Sequence, residues 1–235
     1  MTPSSKQIWY GIGAIAVLLL SGIAYAIYSF APRGPALSTV KTTETSTGTE
    51  MKVEVIYGST DVYSIEVHYP QFDIASVDAK IQAVVDKVVA EFKTYPQNPH
   101  DSSVPVNELT GSFDSVYIGA DIVSAALSIS EYTGGVYPNT VTIGVNVDRA
   151  TGRELSLDDV LAMIGKTLSQ VAAGSLAQLN AKFEGHVPFP EGAEAKAENY
   201  STFLVGKNAV KFIFNDYQVA SHADGPQETS FPRKY

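Results

Sequence analysis

The chain has no cysteine, which removes disulfides, thiolate metal sites and cysteine nucleophiles from consideration. Positive charge is also short: 16 Lys and Arg stand against 25 Asp and Glu, a formal net charge of −9. Nucleic-acid binders concentrate Lys and Arg on one face, so nucleic acid is not an expected partner. Histidine is scarce and scattered. His68, His100, His186 and His222 lie far apart and none belongs to a pair such as HExxH, so neither a metal nor a cofactor is expected. No glycine-rich loop suited to a phosphate is present, and Ser175 follows Gly174 without the strand and second glycine of a nucleophile elbow. The adjacent Asp158 and Asp159 would point to different faces of a helix and suit its first turn, not a carboxylate pair.

What the chain does have is apolar residues, 45% of 235, enough for one sizeable core plus attachments. Ile8 to Phe30 contains no charged residue. As a helix it spans roughly 34 Å against roughly 30 Å of hydrocarbon. Trp9 and Tyr10 at one end, with Tyr25 and Tyr28 at the other, stand where interfacial aromatics stand. Ala24-Tyr25-Ala26 has the form of a signal cleavage site, but the apolar run continues to Phe30, which favours retention. The expected organisation is a short cytoplasmic tail over 1–7, a transmembrane signal anchor over 8–30, a flexible Thr/Ser/Pro linker over 31–50 and an extracytoplasmic domain over 51–235, held at the cell membrane.

Within the domain, Val53, Val55 and Tyr57 alternate with polar positions, as do Tyr63, Ile65, Val67 and Tyr69, with Gly58-Ser59 between the two runs. That predicts a hairpin. Val77, Ile81, Val84, Val85, Val88, Val89 and Phe92 recur at helical spacing and predict an amphipathic helix. Strands are expected around 111–117 and 122–132, the second with small residues on one face, a sign of close packing there. Val141, Ile143, Val145 and Val147 predict another strand, preceded by a glycine turn at Gly134-Gly135 and followed by a turn over 148–153 with Gly152 left-handed. Ser156 and Asp159 form a capping box for a helical region over 158–183 that Gly165 and Gly174 weaken or break. A last strand pair is expected around 202–205 and 210–214, then a polar tail. The fold class these elements suggest is α+β, an antiparallel sheet with helices packed on one face.

The run from Glu131 to Pro138 (EYTGGVYP), then Asn146-Val147-Asp148, Thr151-Gly152 and Leu155 to Val160, resembles an extracytoplasmic domain family of uncharacterised function. That family is shared with the ectodomain of a lysozyme-sensing anti-sigma factor and the accessory domain of peptidoglycan deacetylases. Phe212 to Ala220 (FIFNDYQVA), with Gly225 and Phe231-Pro232, is similar to its closing motif, so the likeness covers roughly 51–232. Tyr137 stands where family members have histidine. The resemblance implies a wall-facing binding domain whose partner is a cell-wall glycan or a lysozyme-like protein. Tyrosine combines an apolar face with a polar tip and suits such partners. The expected contact residues are Tyr132, Gly134, Gly135, Tyr137 and Tyr217. The alternatives are an envelope hydrolase or deacetylase with dispersed carboxylates or histidines, and a structural partner domain of a membrane complex.

Overall fold

The apolar alternation near residue 51 does form a hairpin: β2 (Lys52–Ser59) pairs antiparallel with β3 (Tyr63–Gln71). The turn lies two residues beyond Gly58-Ser59, where Thr60 Oγ1 accepts from the Tyr63 amide at 3.1 Å. This is a computed structural model, and it describes residues 41–45, 51–96 and 105–234. The expected tail, the span Ile8 to Phe30 with its Ala24-Tyr25-Ala26 site, and the linker residues 31–40 and 46–50 lie outside the described residues. Among the described residues no single helix is long and apolar enough to cross a membrane.

Helix α1 (Ala75–Phe92) buries Val77, Ile81, Val85, Val88, Val89 and Phe92 against the sheet, each worth about 1.5–3 kcal/mol before entropy. Asp78 supplies the start that Ile74 cannot cap: its carboxylate accepts from the amides of Phe72 (2.8 Å) and Ile74 (3.0 Å). An 18-residue helix travels roughly 27 Å, enough to return the chain to the end where β3 began. So β4 (Asn107–Ile118) runs parallel to β3, Tyr63 opposite Asn107. Antiparallel β5 (Ile122–Tyr132) and β6 (Asn139–Asp148) follow, giving the order β2-β3-β4-β5-β6. The sheet is therefore mixed, not antiparallel as its sequence suggested, because one crossover helix stands among the hairpins.

A second difference falls in the expected linker, where Lys41–Thr45 forms β1, parallel to β4 with Lys41 opposite Ser115. Asp114, the extra residue of a bulge against β5, sits where β4 changes neighbour from β3 to β1.

The helices do not share one face. α1 covers the face of Ile65, Val67, Leu109, Leu127 and Val145. Over the opposite face lie α2 (Leu157–Ile164), α3 (Leu168–Lys182) and a three-stranded sheet, β7 (Phe203–Val205), β8 (Ala209–Phe214) and β9 (Gln227–Pro232), around a second core. Strand β9 occupies the expected polar tail. Its burial alternates strictly from Gln227 to Pro232, with buried Gln227, Thr229 and Phe231 too mixed in chemistry to show as an apolar pattern.

The small residues of β5 and β6 are what let this second layer approach. Ala126 packs with Leu204 and Ile213, and a Cβ on Gly144 would stand 2.2 Å from the Phe203 carbonyl oxygen. Buried Asn146 bonds the layer like a strand: its Nδ2 donates to Phe203 O (2.7 Å), and its Oδ1 accepts from Val205 N (2.9 Å) and Ser124 Oγ (2.8 Å). On edge strand β2, at the other end of the sheet, Val53, Val55 and Tyr57 are exposed by 45, 40 and 71%.

The expected 158–183 helix breaks at one of its two glycines. Ser156 and Asp159 form the capping box of α2, and Gly165 ends it at φ 63°. Gly174 stays inside α3, where a Cβ would meet the Phe231 ring at 2.7 Å.

Candidate functional site: an aromatic cluster between two turns

Two segments far apart in sequence meet beside the start of β6. One is the glycine turn of residues 133–138; the other is the connection 215–226 between β8 and β9. Asn215 ties the second segment to β6 just after the glycine turn, because its Oδ1 accepts from Thr142 N at 2.7 Å and its Nδ2 donates to Thr142 O at 3.2 Å. A side-chain amide thus completes the free edge of β6 and fixes the next residues against the glycine turn.

Residues 215–218 form a turn closed by Gln218 N donating to Asn215 O at 3.0 Å. Tyr217 occupies its third position with φ 64°, a place normally given to glycine or asparagine. The Gln218 side chain anchors the turn from below, donating to Gly192 O (3.0 Å) and Asn199 O (2.9 Å). Gly192 leaves room for the Gln218 backbone, since a Cβ there would lie 1.8 Å from the Gln218 carbonyl oxygen. Held this way, the Tyr217 ring stacks on His222, centroids 5.8 Å apart and planes 15° from parallel. Tyr137 reaches the same imidazole from the glycine turn at 5.7 Å and 34°.

Beneath the rings, His222 Nδ1 lies 2.6 Å from Asp216 Oδ2, and the Asp216 side chain is only 9% exposed. Its other oxygen, Oδ1, is buried without a hydrogen-bond partner. The hydroxyls of Tyr137 and Tyr217 and the Nε2 of His222 also have no hydrogen-bond partner among the described residues. The outer surface is apolar and open: Val136, Tyr137 and Tyr217 are 84, 70 and 65% exposed.

Of the expected contact residues, Tyr137 and Tyr217 come together. Gly134 and Gly135 adopt φ 95° and 132° and let the turn form. Tyr132 is half-buried and donates its hydroxyl to Gly135 O at 3.3 Å, so it braces the turn. Asp216 and His222 escaped the sequence reading. Six residues separate them, a spacing with no periodic meaning, and only a left-handed tyrosine followed by a short 3-10 turn (His222–Asp224) folds one onto the other. The signal available was the closing motif itself, where Asp216 adjoins Tyr217.

Other candidates resolve into structure. Tyr200 is fully buried, donates to Ala193 O at 2.8 Å and meets Phe212 and Phe214 edge-on; burial raises its pKa. Asn199 donates its amide to the carbonyls of Glu191 and Glu194. His68 pairs with Glu66 at 2.9 Å. Asp148 accepts from the amide and hydroxyl of Thr151, both at 2.8 Å, which hold its carboxyl below its usual range. Asp159 is held lower still by Arg153 and by the Ser156 amide and hydroxyl. No three His, Asp or Glu side chains gather as a metal site among the described residues. A separate cavity of about 250 Å³ opens between the sheets, walled by Val116, Tyr117, Leu204 and Val205. It lies on other elements from the aromatic cluster.

Residues 158–234 match the model of DUF3298, a protein family of unknown function. Over 229 residues, 96% of its length, the chain is 22% identical to the peptidoglycan-N-acetylmuramic acid deacetylase PdaC of Bacillus subtilis, of which it spans 49%. It is 21% identical over 229 residues to the immunogenic protein MPT64 of Mycobacterium tuberculosis, covering 97% of this chain and 95% of that one. Solved structures of DUF3298 family proteins share the fold. One from Bacteroides fragilis gives a TM-score of 0.50 at 14% identity, covering 80% of this chain and 92% of its own. One from Pseudomonas aeruginosa gives 0.51 at 15%, covering 79% and 91%. The deacetylase side of the sequence resemblance is thereby met. The anti-sigma factor side stays an expectation.

Proposed function

We propose that this chain is a cell-envelope binding domain that holds a peptidoglycan glycan strand against Tyr137, Tyr217 and His222, and that Ile8 to Phe30 anchors it in the membrane with the domain outside. The observation that carries the reading is the convergence of two exposed tyrosines on one imidazole, with both hydroxyls left without partners among the described residues. Flat rings with polar tips match a sugar, whose faces are C–H and whose rim is hydroxyl. The backbone strain at Tyr217 supports a role outside the fold, because a bulky residue at positive φ costs about 1–2 kcal/mol that glycine would avoid. The likeness to a peptidoglycan deacetylase supports the choice of glycan.

The test is co-sedimentation of the full chain, in mild detergent, with purified peptidoglycan sacculi. Saturable binding is expected, weakened about tenfold or more by Tyr137→Ala and by Tyr217→Ala with the circular dichroism unchanged. No binding to sacculi ends the glycan reading. Binding to lysozyme instead of sacculi moves it to a protein partner.

A further inference from the structure

We propose that His222 reads an amide N–H, which makes the site selective for N-acetylated over N-deacetylated amino sugars; this rests on the glycan reading above. A neutral imidazole carries one N–H and one lone pair, and the bond made by one nitrogen sets the role of the other. Nδ1 faces Asp216 Oδ2 at 2.6 Å, and a carboxylate accepts, so the hydrogen sits on Nδ1. Among the described residues no other donor is bonded to that carboxylate, its Oδ1 being buried and unpartnered. In the neutral ring Nε2 is therefore the acceptor. Since the Nδ1 edge lies on buried Asp216 while the side chain is 40% exposed, the open edge of the ring is the Nε2 edge, flanked by Tyr137 and Tyr217.

The ligand group this arrangement recognises is a hydrogen-bond donor next to a sugar face. Charge narrows the choice. The segments 133–138 and 215–226 contain no Lys or Arg, and their carboxylates are Asp216 and Asp224. A carboxylate or phosphate finds no counter-charge there, which disfavours the acidic side groups of wall polymers. An acetamido group offers a neutral N–H for Nε2 and a methyl for the apolar surface. Val136, 84% exposed on the same turn as Tyr137, and the tyrosine rings supply that surface. A deacetylated sugar offers an ammonium donor without the methyl, and the two carboxylates nearby are already engaged, Asp216 by His222 and Asp224 by the Ser221 amide and hydroxyl.

The experiment titrates the full chain in detergent with N-acetylglucosamine oligomers and, in parallel, with their N-deacetylated counterparts, following the protein by NMR. Salt is kept at about 0.15 M, so that attraction between the cationic oligomer and the acidic chain is screened beyond about 8 Å. The acetylated oligomer is expected to bind about tenfold more tightly. His222→Ala should abolish that preference, and His222→Gln, which keeps an acceptor near the Nε2 position, should retain part of it. Equal or tighter binding of the deacetylated oligomer, or an undiminished preference in His222→Ala, overturns the role of His222 and leaves the glycan reading standing. Failure of both oligomers to bind a folded chain overturns both.

Discussion

Two turns of this protein share a left-handed residue, Gly152 at φ 68° and Tyr217 at φ 64°, and differ in everything around it. In the 148–153 turn every strong polar group has an internal partner: Asp148 takes Thr151 twice, and Asp159 takes Arg153 twice and Ser156 twice. There glycine is required on two counts, since a Cβ would also stand 2.7 Å from Ser76 Cβ. In the 215–218 turn a tyrosine occupies the position meant for glycine, its ring lies open, and Asp216 Oδ1 is left without a partner. A turn whose polar groups satisfy one another holds a fold together. A turn that keeps backbone strain, an open ring and an unpartnered carboxylate oxygen is the one that the proposed reading sets against the glycan.

Substitutions can break this contrast. Gly152→Ala meets both the backbone penalty and Ser76, and should cost about 2–3 kcal/mol in denaturant unfolding; no change would mean that the turn tolerates a side chain as freely as its counterpart does. Asp159→Ala removes a helix cap and an ion pair together, and about 1–2 kcal/mol should be lost. Its pH dependence has a definite sign. The folded-state pKa of Asp159 is depressed, chiefly by Arg153, so its contribution is fully present above about pH 4 and lost as pH falls below that. Asp159→Asn should flatten the acid limb of the stability curve, and an unchanged limb would remove Asp159 from the account.

Tyr217→Gly should run the other way, raising stability by about 0.5–1 kcal/mol while abolishing glycan binding. Loss of stability instead would show that the tyrosine serves the fold. The smallest effect belongs to Glu131, at the base of the glycine turn. Burial raises its pKa, against a hydrogen bond from Tyr95 that lowers it. Its protonated form is therefore favoured in the fold, and stability is lost as pH rises through the folded-state value. Glu131→Gln should gain a few tenths of a kcal/mol at neutral pH, measured as a difference that vanishes in acid.

Sequence was informative wherever the cause of a structure is local. The hairpin, α1, the capping box of α2, the left-handed Gly152 and the glycine turn with Tyr137 all follow from residue spacing, cap chemistry or the φ freedom of glycine, which act over a few neighbours. The small residues of β5 likewise announced a close neighbour, and Leu204 and Ile213 are that neighbour. Pairing was decided elsewhere. The parallel β3–β4 contact depends on where an 18-residue helix sets the chain down, β1 depends on the edge that β4 offers beyond its bulge, and β9 shows only when its mixed residues alternate against the second core.

For the candidate site, the tyrosines were legible as side chains near turns, whereas their shared partner was not. His222 acquires its place from Asp216, from the positive φ of Tyr217 and from the Asn215 bonds to Thr142, a partner 73 positions away. Sequence by itself determined the strands, helices and turns whose cause is local, β1 and β9 excepted, because those preferences come from each residue's own backbone and its near neighbours. Only the tertiary structure decided that two distant turns share one imidazole, because contacts at long sequence separation depend on how whole layers dock.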